Sequence, residues 1–169
     1  MGIDIEELVC GYWREQKGGS MALKRKRRRY ESDLMYAFRC YGHQNIRARH
    51  SKTIEFTGDG EIEVKADCII GVGANYDVHE LKKFNGKVLI TVECHGLIDE
   101  CHAIVNPGFN DDVEIVLRKS RYCSKRTFGV MLSKGADGLN RDIAKLMREP
   151  GREMVVTVFQ KPVRKLPTE

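Results

Sequence analysis

The stretch richest in chemistry is residues 41–57, YGHQNIRARHSKTIEFT. It gathers two histidines, an asparagine, two arginines, a lysine and a glutamate before closing on strand-like TIEF. His43 and His50 are seven residues apart, not the i, i+4 spacing that sets two ligands on one helix face. On a loop they could still converge on a metal with Asp67 or Asp111, because imidazole ligates zinc, copper, iron and nickel. The competing reading is that His43 and Asn45 hydrogen-bond to the backbone and hold a turn. Extended backbone would send Arg47 and Arg49 to one face, beside His50 and Lys52, where guanidinium forks can grip a phosphate or carboxylate. A second basic group comes later, with Arg118, Lys119, Arg121, Lys125 and Arg126. If the chain is built of two related halves, these groups could bracket an anionic ligand. The plainer alternative is two solvated charged faces.

Other constellations carry less. Asp99-Glu100 and Asp111-Asp112 are paired acids that could hold a cation or move a proton, but turns and strand ends collect acids anyway. Cys68 is a poor nucleophile candidate, since apolar neighbours raise a thiol's pKa and block access. Gly71, Gly73 and Gly129 lack the spacing of a phosphate-binding loop, and neither GxSxG nor HExxH occurs. No cofactor is implied by any of these patterns.

The elements that must position these residues are mostly short strands. LMYAFRCY at 34–41 is rich in aromatic and apolar residues and reads as a strand. Residues 53–56 form a second, closed by the turn signal Thr57-Gly58-Asp59-Gly60. DCIIGV at 67–72 is a buried strand, and 77–84 a short helix with Asp77 as N-cap and Gly86 just past its end. Residues 87–94 alternate and pair with 97–105 through His95-Gly96, a hairpin. Strands follow at 113–117 and 127–132, then a helix at 139–148 stopped by Pro150-Gly151, then a closing strand at 154–159.

Laid side by side, these elements repeat. Ile70-Gly71-Val72 matches Phe128-Gly129-Val130, Thr91-Val92 matches Thr157-Val158, and Ile54 corresponds to Ile115. The expected fold is mainly β: a pseudo-twofold, jelly-roll-like β-sandwich of two similar halves, about 34–95 and 97–160, with two short helices. An α+β arrangement is the alternative.

Bulk properties bound the rest. A chain of 169 residues, 41% hydrophobic and 31% charged, suits one globular domain. Its longest apolar runs fall far short of the roughly 20 residues that cross a bilayer, and no secretory signal is read, so no membrane partner and a cytoplasmic location are expected. The six cysteines include no CxxC pair, which argues for buried thiols rather than a zinc site. The net charge is +5, but Lys24, Arg25, Lys26, Arg27, Arg28 and Arg29 stand together, and without them 23 Lys and Arg face 24 Asp and Glu. The basic character therefore belongs to a flexible N-terminal extension, residues 1–33, while 34–161 form the single β-rich domain and 162–169 a tail. Lys17-Gly18-Gly19 can be encoded by a purine-rich ribosome-binding sequence just before Met21, which makes Met21 a candidate start beside Met1. An intact mass that includes residues 1–20 would refute this.

Several of these words resemble a known family. Gly42-His43-x-Asn45, His50, Asp67-Cys68-Ile69-Ile70-Gly71-Val72 and Arg118-Lys119-Ser120 are similar to the small archaeal proteins grouped as domain of unknown function 371, over about residues 34–159. The resemblance implies a mainly β, jelly-roll-like sandwich and no assigned activity, substrate or cofactor. Such proteins often repeat the GHxN…H pattern in the second half. Here Asn106 remains, while Ile104 and Asp111 stand where histidines are expected. Any site is therefore expected on the first half, at His43, Asn45, His50 and Asp67.

Three functions are compatible with these residues. The first is a non-enzymatic module for an anionic partner such as RNA, using Lys24 to Arg29 with Arg47, Arg49, Arg118 and Lys119. The second is an interaction or structural protein that pairs through exposed strand edges. The third is a small metal-assisted enzyme using His43, His50 and Asp67.

Overall fold

A computed structural model describes residues 33–161. Expectations about a start at Met21, the basic run at 24–29 and the tail at 162–169 lie outside the described residues. The chain forms β1 (Leu34–Tyr41), β2 (Thr53–Thr57), β3 (Ile69–Gly71), α1 (Val78–Leu81), β4 (Lys87–Cys94), β5 (Leu97–Val105), β6 (Glu114–Arg118), β7 (Thr127–Val130), α2 (Arg141–Leu146) and β8 (Glu153–Gln160). A 3₁₀ turn, Ala136–Gly138, precedes α2. The mainly β expectation with two short helices holds. The strands join one mixed sheet of eight, in the order β1-β8-β4-β5-β7-β6-β2-β3. Its two edges meet where Tyr41 and Val72 exchange backbone hydrogen bonds of 2.7 and 2.8 Å. The layers expected of a sandwich are thus parts of one continuous sheet that closes on itself.

Local chemistry accounts for the boundaries. The β4–β5 hairpin turns at His95 and Gly96, both with positive φ (+53° and +80°), the geometry of a two-residue type I′ connection. Asp77 caps α1 by accepting from the His79 N–H at 2.8 Å, and the Asn140 side chain caps α2 through Asp142 N–H at 2.9 Å. Both helices are short because their buried stripes are small: Leu81 in α1, Ile143 and Ala144 in α2.

The two five-element runs, β1-β2-β3-α1-β4 and β5-β6-β7-α2-β8, share not only order but pairing. β1 pairs with β8 as β5 pairs with β4, and β2 with β3 is parallel as is β6 with β7. Register breaks fall at Glu55/Phe56 and again at Val116/Leu117. β2 crosses β6 with Glu55 opposite Val116, and β4 crosses β8 with Thr91 opposite Thr157, so residues at matching places in the two runs face each other. Asn75 Oδ1 accepts from Arg39 N–H at 2.8 Å, and Ser133 Oγ from His102 N–H at 3.1 Å. Alternation along the strands fills the interior with apolar side chains. Phe38 meets Phe56 edge-on at 5.6 Å, and Phe109 meets Phe128 likewise at 5.4 Å. Gly71 is required where it sits, because a Cβ there would overlap Cys40 Sγ.

Candidate functional site

The polar stretch after β1 becomes a loop, residues 42–52, held on three sides by main-chain bonds. Its first turn closes when His43 Nδ1 accepts from Asn45 N–H at 3.0 Å and His43 O from Ile46 N–H at 3.0 Å. Accepting through Nδ1 leaves the proton of the neutral ring on Nε2, which faces Glu61 Oε2 at 3.0 Å. Asn45 donates to the Ile62 carbonyl at 2.9 Å. Farther along, Arg49 and His50 both donate N–H to the Asp67 carbonyl, at 3.0 and 3.2 Å. The Arg141 guanidinium, from the first turn of α2, reaches the carbonyls of Ala48 (2.8 Å) and Arg47 (3.2 Å), together with those of Ala136 and Asp137. Gly135 lets the loop lie this close, since a Cβ there would overlap the Ser51 carbonyl.

This pinning sorts the side chains. Ile46 and Ala48 are fully buried, whereas Arg47, Arg49, His50 and Lys52 are exposed. Ala48 has φ of +49°, so the stretch is not the extended backbone on which the one-face expectation for Arg47 and Arg49 rested, and both arginines are exposed on either side of buried Ala48. Among the described residues neither arginine, nor Lys52, makes a side-chain ion pair or hydrogen bond. The metal grouping suggested by the sequence is not assembled. His43 Nε2 faces Glu61, His50 Nδ1 accepts from Lys52 N–H at 3.2 Å, and Asp67 takes part through its backbone oxygen. Asp111 is tied up elsewhere, its Oδ1 accepting from Val113 and Glu114 N–H at 2.9 and 2.8 Å. Among the described residues no three His, Cys, Asp or Glu side chains converge as metal ligands.

The second basic group is placed differently from the sequence expectation. It does not stand opposite the first so as to bracket a ligand; it lies beside it. β2 and β6 run antiparallel with Thr53 opposite Arg118, and Lys119 donates N–H to the Lys52 carbonyl at 2.9 Å. At the other end of this ladder Gly58 donates to Val113 at 2.6 Å, and the nearby acids are Asp59, Asp111 and Asp112. The Thr53–Arg118 end of the ladder is therefore basic, while the Thr57–Glu114 end mixes these acids with Arg126, which pairs with Glu114 at 2.7 Å. The internal alignment shifts too. Tyr41–Val72 corresponds to Ile104–Val130, which places Asn106 on His43 and Gly108 on Asn45. Asn106 Oδ1 accepts from Gly108 N–H at 3.0 Å, the bond that His43 Nδ1 makes in the first half. The turn needs an acceptor there, and an amide oxygen or an imidazole nitrogen serves equally.

Glu55 is a group that the sequence does not single out, and Arg118, an anion-binding candidate, has partners that the sequence does not indicate. Glu55 is buried under the β2–β3 connection, with Cys68 Sγ donating to its Oε2 at 3.4 Å. Burial first, then neighbouring Glu114, raises its carboxyl above the usual range, against the pull of Cys68, Arg126 and Arg118. The Cys68 thiol is itself pushed up to about 12 by burial and by Glu55, so it stays protonated at neutral pH. The other group is Arg118, whose Nε donates to Thr127 Oγ1 at 3.2 Å while its guanidinium lies 5.2 Å from the Tyr122 ring centroid. An outward residue on a period-2 strand gives no hint of such partners, which are Tyr122 in the following connection and Thr127 at the start of β7.

Comparison with known proteins decides the family. The model for the domain of unknown function 371 matches residues 38–161. The chain is a DUF371 protein. Its relatives include an uncharacterised protein of Methanocaldococcus jannaschii, 28% identical over 138 residues, a match spanning 75% of this chain and 99% of the archaeal one. This DUF371 domain thus covers the whole closed sheet except the first four residues of β1. Among the described residues no helix is long and apolar enough to cross a membrane.

Proposed function

We propose that this DUF371 protein is a binding module for a polyanionic partner, engaged at the basic end of the β2–β6 ladder. The observation that carries it is the combination of a fixed main chain with unengaged cations. Residues 47–50 are pinned by Arg141 and by the Asp67 carbonyl, yet Arg47, Arg49 and Lys52 project without partners among the described residues, and Lys119 is docked beside them. Cations held this way lose little freedom on binding, which favours them over loose surface charges. The run from Lys24 to Arg29 would add salt-sensitive attraction of its own. The same reading takes the two five-element units as an internal duplication, supported by the matched register breaks at Glu55 and Val116.

Heparin binding measured across a salt series tests the proposal. A chain whose residues 24–29 are replaced by neutral ones should still bind, with affinity falling steeply as salt rises. Adding Arg47→Ala, Arg49→Ala and Lys119→Ala should flatten that salt dependence. Binding that vanishes with the tail alone, or ignores the triple replacement, would refute a site on the sheet.

A further inference from the structure

The connections that lead into β3 and β7 occupy corresponding places but have opposite charge. Residues 58–68, GDGEIEVKADC, carry Asp59, Glu61, Glu63 and Asp67 against Lys65. Residues 119–126, KSRYCSKR, carry Lys119, Arg121, Lys125 and Arg126 and no acid. Tyr122 stands in the second loop where Val64 stands in the first, each five residues before its strand's first residue. The residue is 63% exposed, so it is not part of the core. One side of the ring rests on the Arg118 guanidinium, which Thr127 holds in place.

The loop is anchored on both sides of Tyr122. Before it, Lys119 N–H bonds the Lys52 carbonyl and Met131 N–H bonds the Ser120 carbonyl at 3.2 Å. After it, Ser124 N–H bonds Thr127 Oγ1 and Thr127 N–H bonds the Ser124 carbonyl, both at 3.1 Å. An exposed aromatic face with a guanidinium 5.2 Å from its centroid, in a loop that also carries Lys119, Arg121 and Lys125, matches what unpaired bases on a phosphate backbone need: stacking for the base and charge for the phosphates. A duplex hides its base faces, and a polyanion without bases has no use for the ring.

We infer that Tyr122, backed by Arg118, is a stacking platform for a single-stranded nucleic acid whose phosphates follow Lys119, Arg121 and Lys125. This rests on the polyanion reading and narrows it to one ligand class. RNA and DNA single strands share the chemistry, so both belong in the test.

The full chain is titrated by fluorescence anisotropy into labelled 12-mers: single-stranded RNA, single-stranded DNA of the same sequence, an abasic strand, and heparin as competitor. Tyr122→Ala should weaken binding of both base-bearing strands about tenfold, Tyr122→Phe should stay close to the parent, and heparin affinity should be unchanged by either. The abasic strand should bind the parent no better than the base-bearing strands bind Tyr122→Ala. A preference of the parent for RNA or for DNA identifies the source. Equal losses for heparin and single strands, or no loss for either, would overturn the platform while leaving the polyanion site standing. A chain that binds neither heparin nor any strand would overturn both.

Discussion

At the scale of single residues, side-chain chemistry was legible where it acts within a turn and hidden where it acts across the sheet. His43 and Asn45 hold the loop's first turn as small polar groups do, and that role follows from their type and position in the chain. Nothing in the sequence of the strand expected at 53–56 marks Glu55 as buried. It is only 6% exposed because the connection into β3 returns over it, a long-range event without a local signal. Its raised carboxyl pKa, caused chiefly by burial, has a definite consequence for stability. The folded chain keeps this proton at pH values where the unfolded chain has released it. Glu55 therefore favours the fold below the ordinary carboxylate range, and that contribution is lost as pH rises through the raised value. Glu55→Gln keeps an oxygen to accept from Cys68 and removes the buried charge. Thermal melts should show a gain of about 1 kcal/mol at pH 7.5, which shrinks to nothing near pH 4. A gain that is constant across this range, or largest in acid, would show that burial of the charge is not the cause.

At the scale of elements, β1, β4 and β5 carry the bounds expected from alternation and turn chemistry, because each is a long strand bordered by a strong breaker. The helices are shorter than expected, since only two turns or fewer find apolar partners. The loop at 42–52 was recognised as polar, but its conformation depends on Arg141, 93 residues after Ala48, and no local rule links the two. Arg141 therefore offers a way to separate loop order from loop charge. Arg141→Ala deletes bonds to the Ala48 and Arg47 carbonyls while leaving Arg47, Arg49, Lys52 and Lys119 intact. Removal of these charge-assisted bonds should cost about 1–2 kcal/mol and speed amide exchange at Ile46 to Ser51. Heparin binding should weaken more than the loss of one charge explains, with most of the loss in a faster off-rate. If Arg141→Lys restores the charge and heparin affinity returns fully while the amides still exchange fast, the pinned backbone is not what prepares the site.

At the scale of the molecule, the repeated words Ile70-Gly71-Val72 and Phe128-Gly129-Val130 were legible because both glycines face a close approach: Gly71 meets Cys40, and a Cβ at Gly129 would come within 2.9 Å of Ala103 Cβ. The strand order was not, because parallel pairing of β2 with β3 and of β6 with β7 leaves no mark on alternation. That order interleaves the halves. β4 lies between β8 and β5, and β8 lies between β1 and β4, so each half keeps a strand whose two neighbours belong to the other. A fragment of residues 33–95 would expose both edges of β4 and the apolar side chains Val88, Ile90 and Val92, and residues 96–161 would do the same with Met154, Val156 and Val158. Neither should fold as a monomer, and mixing them should restore β-sheet circular dichroism with a single cooperative melt. The β4–β8 ladder is centred on Thr91 and Thr157, so a half that does fold alone should do so as a dimer, with one β4 against another in place of β8. Sedimentation separates these outcomes: a folded monomeric half would mean that each unit completes its own core, and the interleaved sheet would then not be what the fold requires.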